Sequence, residues 1–143
     1  MADCEPPGTD VPDPEIAGIL KKAKTIAVVG VSRKEDRASH KVAKYLMEQG
    51  YRVIPVNPAY PEALGERCYP NVASVPEHID IVDIFRSEEA IPEIVEEAIG
   101  AGAGCVWMQL GLAHREAAAK ACGAGLAVVM DKCVKQEHSR LMR

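Results

Sequence analysis

Short groups of donors, small residues and cations follow the apolar runs of this chain, and their chemistry suits a phosphorylated ligand. Gly30-Val31-Ser32-Arg33 closes a β-branched run, Asn57-Pro58 and Tyr60 close a second, Phe85-Arg86-Ser87 a third, and Gln109 with Gly111 a fourth. A glycine at the first of these ends lets backbone approach a ligand, and the helix N-terminus expected after it offers free N–H groups to an anion. Gly30 is the one member present of the three-glycine dinucleotide fingerprint. The turn therefore fits NAD, another nucleotide or an empty structural turn equally well.

The surrounding residues narrow the ligand. An NAD site places Asp or Glu about 20 residues beyond the glycine turn, on the ribose 2′-hydroxyl. This chain has Asn57-Pro58 there. The cations Arg33, Lys34, Arg37 and Lys41 oppose the dipole of the helix they begin unless an anion is shared, so they suit a ligand with more phosphate than NAD. Ser32 and Ser39 are candidates both for helix capping and for phosphate contact, since a cap oxygen and an anion compete for the same amides.

No catalytic constellation or metal-ligand spacing emerges. His40, His78, His114 and His138 read as surface histidines, Asp80 as a cap at a strand edge, and Asp83 as an interior polar residue without evident purpose. Cys133 follows Lys132, which favours the thiolate, but an inert thiol is the plainer reading.

These residues are positioned by alternating strands and helices. A first helix carries Ile16, Ile19 and Leu20, and strands are expected over 26–29, 52–56, 79–85, 105–108 and 126–130. Helices are expected over 39–49, 88–99 and 114–122, a loop with one short strand at 67–69 fills 59–76, and a polar tail runs over 131–143. Apolar strands alternating with helices imply a mainly parallel, doubly wound, Rossmann-like α/β domain over 14–143. Residues 1–13, rich in proline and acid, read as a flexible tail.

At 143 residues the chain is large enough for one self-sufficient core. With a net charge of −4, one Trp and one Phe, it lacks the basic, aromatic surface of a nucleic-acid binder. No apolar run reaches membrane-spanning length and no basic leader opens the chain, which points to the cytoplasm. Five cysteines without C-x-x-C spacing read as reduced thiols.

The runs G-V-S-R-K-E-D-R-A-S-H-K-V-A-K-Y-L, G-Y-R-V-I-P-V-N-P, D-I-V-D-I-F-R, V-W-M-Q-L-G and V-V-M-D-K-C resemble those of small stand-alone CoA-binding proteins, from about residue 15 to 141. These are similar to the nucleotide-binding domain of the succinyl-CoA synthetase α subunit. The resemblance implies that Gly30, Val31, Ser32 and Arg33 hold the CoA diphosphate. Asn57, Pro58 and Tyr60 would border the nucleotide, Phe85, Arg86 and Ser87 would line its other side, and Gln109 would face the pantetheine path. Arg37, Ser39 and Lys41 join this set as phosphate-side residues, although the family commonly has proline where this chain has Ala38. The expected activity is binding of CoA or acyl-CoA without catalysis. The alternatives are an NAD(P)-dependent oxidoreductase and the CoA-binding component of a multi-chain acyl-CoA synthetase.

Overall fold

The computed structural model describes residues 11–142, so all but the inner end of the expected tail lies outside the described residues. Val11 is already buried, and α1 (Asp13–Lys22) begins with Asp13 and Glu15 in its first turn and ends on Lys21 and Lys22, the charge order its dipole favours. There follow β1 (Thr25–Val29), α2 (Ala38–Glu48), β2 (Arg52–Val56), a minimal hairpin of β3 (Glu62–Ala63) and β4 (Glu66–Arg67), and β5 (Ile81–Ile84). The chain continues through α3 (Ile91–Gly100), β6 (Cys105–Met108), α4 (Arg115–Gly123), β7 (Ala127–Val129) and α5 (Val134–Leu141).

β2, β1, β5, β6 and β7 form, in that order, one all-parallel sheet, as the doubly wound expectation requires. Strand alternation divides the core. Ala27, Val29, Ile84, Val106 and Met108 pack with Ile91, Ile94 and Val95 of α3 and Ala117, Ala118 and Ala121 of α4. Ile26, Val28, Ile81 and Trp107 pack on the other face with Ile16 and Leu20 of α1, Val42 and Leu46 of α2, and Val134 of α5. The connection from β1 to β2 thus runs over one face and the connections onward from β5 over the other. The sheet order reverses at the β1–β5 border, which is where such sheets open a crevice at their carboxyl edge. Val29 lies opposite both Val56 and Ile84, so three strand ends are level there.

Two elements depart from the sequence expectation. The expected polar tail over 131–143 contains α5, whose Val134 and His138 are buried and whose Arg140 pairs with Asp13 of α1. It is eight residues long and mostly polar, with Val134 and Leu141 its strongly apolar residues. The segment 59–76 holds the β3–β4 hairpin, turned by Leu64 and Gly65 at positive φ, and rejoins the sheet through a bridge between Val56 and Tyr69. Asp80 accepts the amides of Lys24 and Thr25 at 2.8 and 2.9 Å, the edge cap expected of it. Asp83 shares the face of Ile81 and lies between Val28 and Trp107 in register, with neither carboxylate oxygen hydrogen-bonded.

Candidate ligand-binding site at the sheet switch point

Gly30 is fixed by two separate constraints. Its φ is +89°, a left-handed conformation that side chains resist, and a Cβ there would lie 2.8 Å from Arg86 Cδ and 2.9 Å from the Phe85 carbonyl oxygen. The Gly30 amide donates to the Val56 carbonyl and the Phe85 amide to the Val29 carbonyl, each at 2.8 Å, so the ends of β1, β2 and β5 are laced together. The Gly30 and Phe85–Arg86 segments, far apart in the chain, are in direct contact.

Beyond Gly30 the turn is organised by side chains. Asn57 Nδ2 donates to the Val31 carbonyl at 2.9 Å while its Oδ1 accepts the Ala59 amide at 2.8 Å. This double duty needs both an N–H donor and an acceptor, which gives a physical reason for an amide rather than a carboxylate at the end of β2. Ser39 Oγ accepts the Ser32 amide at 2.9 Å, Ser32 Oγ accepts the Lys34 amide at 3.1 Å, and His40 Nδ1 lies 3.0 Å from the Ser32 carbonyl. Ser39 is therefore not the helix cap. That position belongs to Arg37, whose side chain makes no cap bond, and the first turn of α2 carries no acid.

An uncapped helix N-terminus beside exposed cations is thus presented at the switch point. Arg33, Lys34, Arg37 and Lys41 are exposed, as is Arg86 across the crevice, and none joins an ion pair among the described residues. Glu35 and Asp36 in the same loop moderate the charge. Arg33 stacks over the Tyr60 ring, 5.4 Å from its centre, joining the β1 turn to the loop after β2. The amides of Gly30, Ser32, Lys34 and Arg37 are bonded within the protein, so the donors this edge leaves over are the first-turn amides of α2 and the exposed cations.

Next to the turn, on the α3 side, opens a cleft of about 250 Å³ bounded by Gly30, Pro58 and Arg86. Its apolar walls are Pro70, Val72, Ala90 and Ile94, and Asn71, Glu93 and Glu97 add polar groups. Glu97 accepts the Val72 amide at 2.9 Å and pins the loop wall to α3. Sequence reasoning missed these α3 and loop residues; the one available signal was the length of the proline-marked segment 59–76. Larger hollows of about 490 and 570 Å³ are lined by residues at the strand starts, at the opposite edge of the sheet.

Over β6 and β7 the carboxyl edge is closed by cross-ties. Gln109 is buried and its Oε1 accepts the Val134 amide at 3.1 Å; Trp107 Nε1 donates to the Lys132 carbonyl at 2.8 Å, and the Gly111 amide to Asp131 Oδ1 at 2.6 Å. Gln109 thus fixes the start of α5, while Ser87 lies exposed beyond β5, at the head of the one-turn helix Glu88–Ala90. His114 caps α4 through Nδ1, and His138 is buried against Tyr45, whose hydroxyl lies 2.8 Å from its Nδ1. Cys68, Cys105 and Cys133 carry free thiols, and Cys122 does not join them. Burial pushes the Cys105 thiol well above the usual range. Among the described residues no group of His, Cys, Asp and Glu is arranged to hold a metal, and no helix is long and apolar enough to cross a membrane.

An all-parallel sheet with a glycine turn and a cationic, uncapped helix start at its switch point defines a Rossmann-like α/β domain. Within that class the chain belongs to the CoA-binding domain family, whose model matches residues 24–139. It is similar to the uncharacterized protein YneT of Bacillus subtilis, 42% identical over 125 residues that make up 87% of this chain and 93% of that one. It is also 38% identical over 74 residues to the ADP-forming acetate–CoA ligase I of Archaeoglobus fulgidus, a match spanning 52% of this chain and 11% of the ligase. Among solved structures, a hypothetical protein from Pyrococcus horikoshii OT3 superposes with a TM-score of 0.92 at 44% identity, covering 100% of both chains. The homology thus extends to a part of ADP-forming acetate–CoA ligases.

Proposed function

We propose that this chain is a cytoplasmic CoA or acyl-CoA binding protein without catalytic activity of its own, holding the nucleotide end at the carboxyl edge of β2, β1 and β5. The observation that carries the reading is the uncapped, acid-free start of α2, with Arg33, Lys34, Arg37 and Lys41 around it and Gly30 beside it. The CoA diphosphate is assigned to Gly30, Val31, Ser32 and Arg33, with Arg37, Ser39 and Lys41 on the phosphate side. Asn57, Pro58 and Tyr60 border the nucleotide and Phe85, Arg86 and Ser87 face them. Gln109 enters by holding α5 beside the pantetheine path, its Oε1 being engaged by Val134. Asn57 disfavours NAD, since its side chain is committed to bracing the turn and is not a carboxylate.

The similarity to acetate–CoA ligases favours a second reading, in which this chain supplies the CoA cradle of a multi-chain synthetase. Formation of acyl-CoA from acid, CoA and ATP only in the presence of a partner chain would select it.

Arg33→Ala and Lys41→Ala test the proposed site. Each is expected to weaken CoA binding by about 1 to 3 kcal/mol and to flatten its dependence on ionic strength, because a charge-assisted phosphate contact is removed. Titration of CoA and dephospho-CoA over a range of salt checks this; unchanged affinity and slope in both variants would return these cations to the solvent.

A further inference from the structure

We propose that His40, set aside as a surface histidine by its sequence context, is a positioning residue of this site, holding the Ser32 carbonyl so that the turn presents donors to the phosphates. The inference rests on the CoA-binding reading. With Arg37 as cap, His40 occupies the third position of α2, where a capping box places Glu or Gln to reach back to the cap amide. A carboxylate there would bring negative charge to the mouth of an anion site. The imidazole instead reaches the Ser32 carbonyl at 3.0 Å.

A carbonyl oxygen only accepts, so Nδ1 carries the proton. The ring is held either as the Nδ1–H tautomer or as the cation, and in neither form does it place negative charge beside a phosphate. Asn57 Nδ2 holds the preceding carbonyl, Val31, at 2.9 Å. Two consecutive carbonyl oxygens after Gly30, the groups of this turn that would repel an anion, are thereby engaged by donors from opposite sides, one from α2 and one from the end of β2. Ser39, the neighbour of His40, accepts the intervening Ser32 amide at 2.9 Å. Residue Ser32 is thus held by α2 on both sides of its Cα, its amide by Ser39 and its carbonyl by His40. The device works through the backbone and needs no contact between His40 and the ligand.

The test compares His40→Ala, His40→Asn and His40→Gln with the unaltered protein. Asn places its Nδ2 donor near the position of Nδ1, whereas Gln places its donor near that of Nε2. Calorimetric titration with CoA is expected to give about five- to tenfold weaker binding for His40→Ala and His40→Gln, the cost of one structuring hydrogen bond, and recovery to within about twofold for His40→Asn. Thermal midpoints of all four proteins separate this pattern from loss of folding, because the Asn and Gln variants compare two substitutions of the same surface site. Independently of any ligand, long-range nitrogen correlation spectra of the unliganded protein, taken above the imidazole titration, are expected to show the proton of His40 on Nδ1. Equal affinities in all variants, retention by Gln with loss by Asn, or a proton on Nε2 would each overturn the proposal. Failure of the unaltered protein to bind CoA would instead overturn the reading on which it rests, leaving the tautomer measurement to judge the His40 bond itself.

Discussion

Gly30→Val is expected to abolish measurable CoA binding, by a hundredfold or more, and to lower the thermal midpoint as well. A β-branched residue resists the φ of +89°, and its Cβ would stand 2.9 Å from the Phe85 carbonyl oxygen, which is backbone and moves only if the end of β5 moves. The 2.8 Å approach to Arg86 Cδ is relieved more easily, by swinging a flexible side chain into the crevice where the ligand is assigned. Either adjustment disturbs the site, and the first also strains the lacing of Gly30 to Val56 and of Phe85 to Val29. Calorimetry with CoA, accompanied by circular dichroism and a melting curve, reads both effects. A variant that binds CoA normally would show that the turn is structural and the site lies elsewhere.

Asp83→Asn is expected to stabilise the protein at neutral pH, by on the order of a few kcal/mol. Burial alone pushes the Asp83 carboxyl well above its ordinary range, since no hydrogen-bond donor or cation meets either oxygen. The folded state therefore holds a proton that the unfolded chain releases once the pH passes the ordinary carboxylate range. Below that range both states are protonated and the penalty vanishes. As the pH rises above it, the unfolded state binds fewer protons, and this residue's contribution to stability falls by about 1.4 kcal/mol per unit until the folded carboxyl ionises. Asn cannot ionise, so the gap between the two proteins should widen from pH 4 towards neutrality. Denaturant titrations followed by Trp107, the only tryptophan of the chain and the register neighbour of Asp83, measure it. A gap independent of pH would mean that Asp83 is as solvated in the folded protein as in the unfolded chain, and a gap that moves in the opposite direction as the pH rises that it is paired in solution.

The sheet was legible because buried parallel strands announce themselves as β-branched runs: the expected 52–56 and 105–108 coincide with β2 and β6. Helix α2 differs from expectation by one residue at each end, and the error is chemical. Serine is the usual cap, yet here Arg37 takes the cap position and Ser39 is turned inward to hold the Ser32 amide. α5 escaped notice because it is only eight residues long and mostly polar, and one of its two buried positions is filled by His138 rather than by an apolar residue. Strand alternation names the class of sheet but not the order, which depends on the face each crossover takes. The site was legible to the same degree. The residues directly after β1, β2 and β5 do meet at one edge of the sheet, but the walls at Pro70, Val72, Ala90 and Ile94 come from a loop and a helix that only the fold brings beside Gly30. The backbone bonds of His40 to Ser32 and of Gln109 to Val134 were not legible, because a hydrogen bond to a backbone group leaves no trace in residue type or spacing.

The central claim is that the switch-point edge is built for CoA rather than for a nicotinamide dinucleotide. Calorimetric titration of ligand-stripped protein with CoA and with NAD, in the same buffer and salt, tests it most directly. CoA should bind at a micromolar level, about −8 kcal/mol, and more tightly than NAD, because the end of β2 offers Asn57 and no acid for the ribose while the start of α2 offers uncompensated cations for the additional phosphate. Binding of NAD as strong as or stronger than that of CoA would contradict the account.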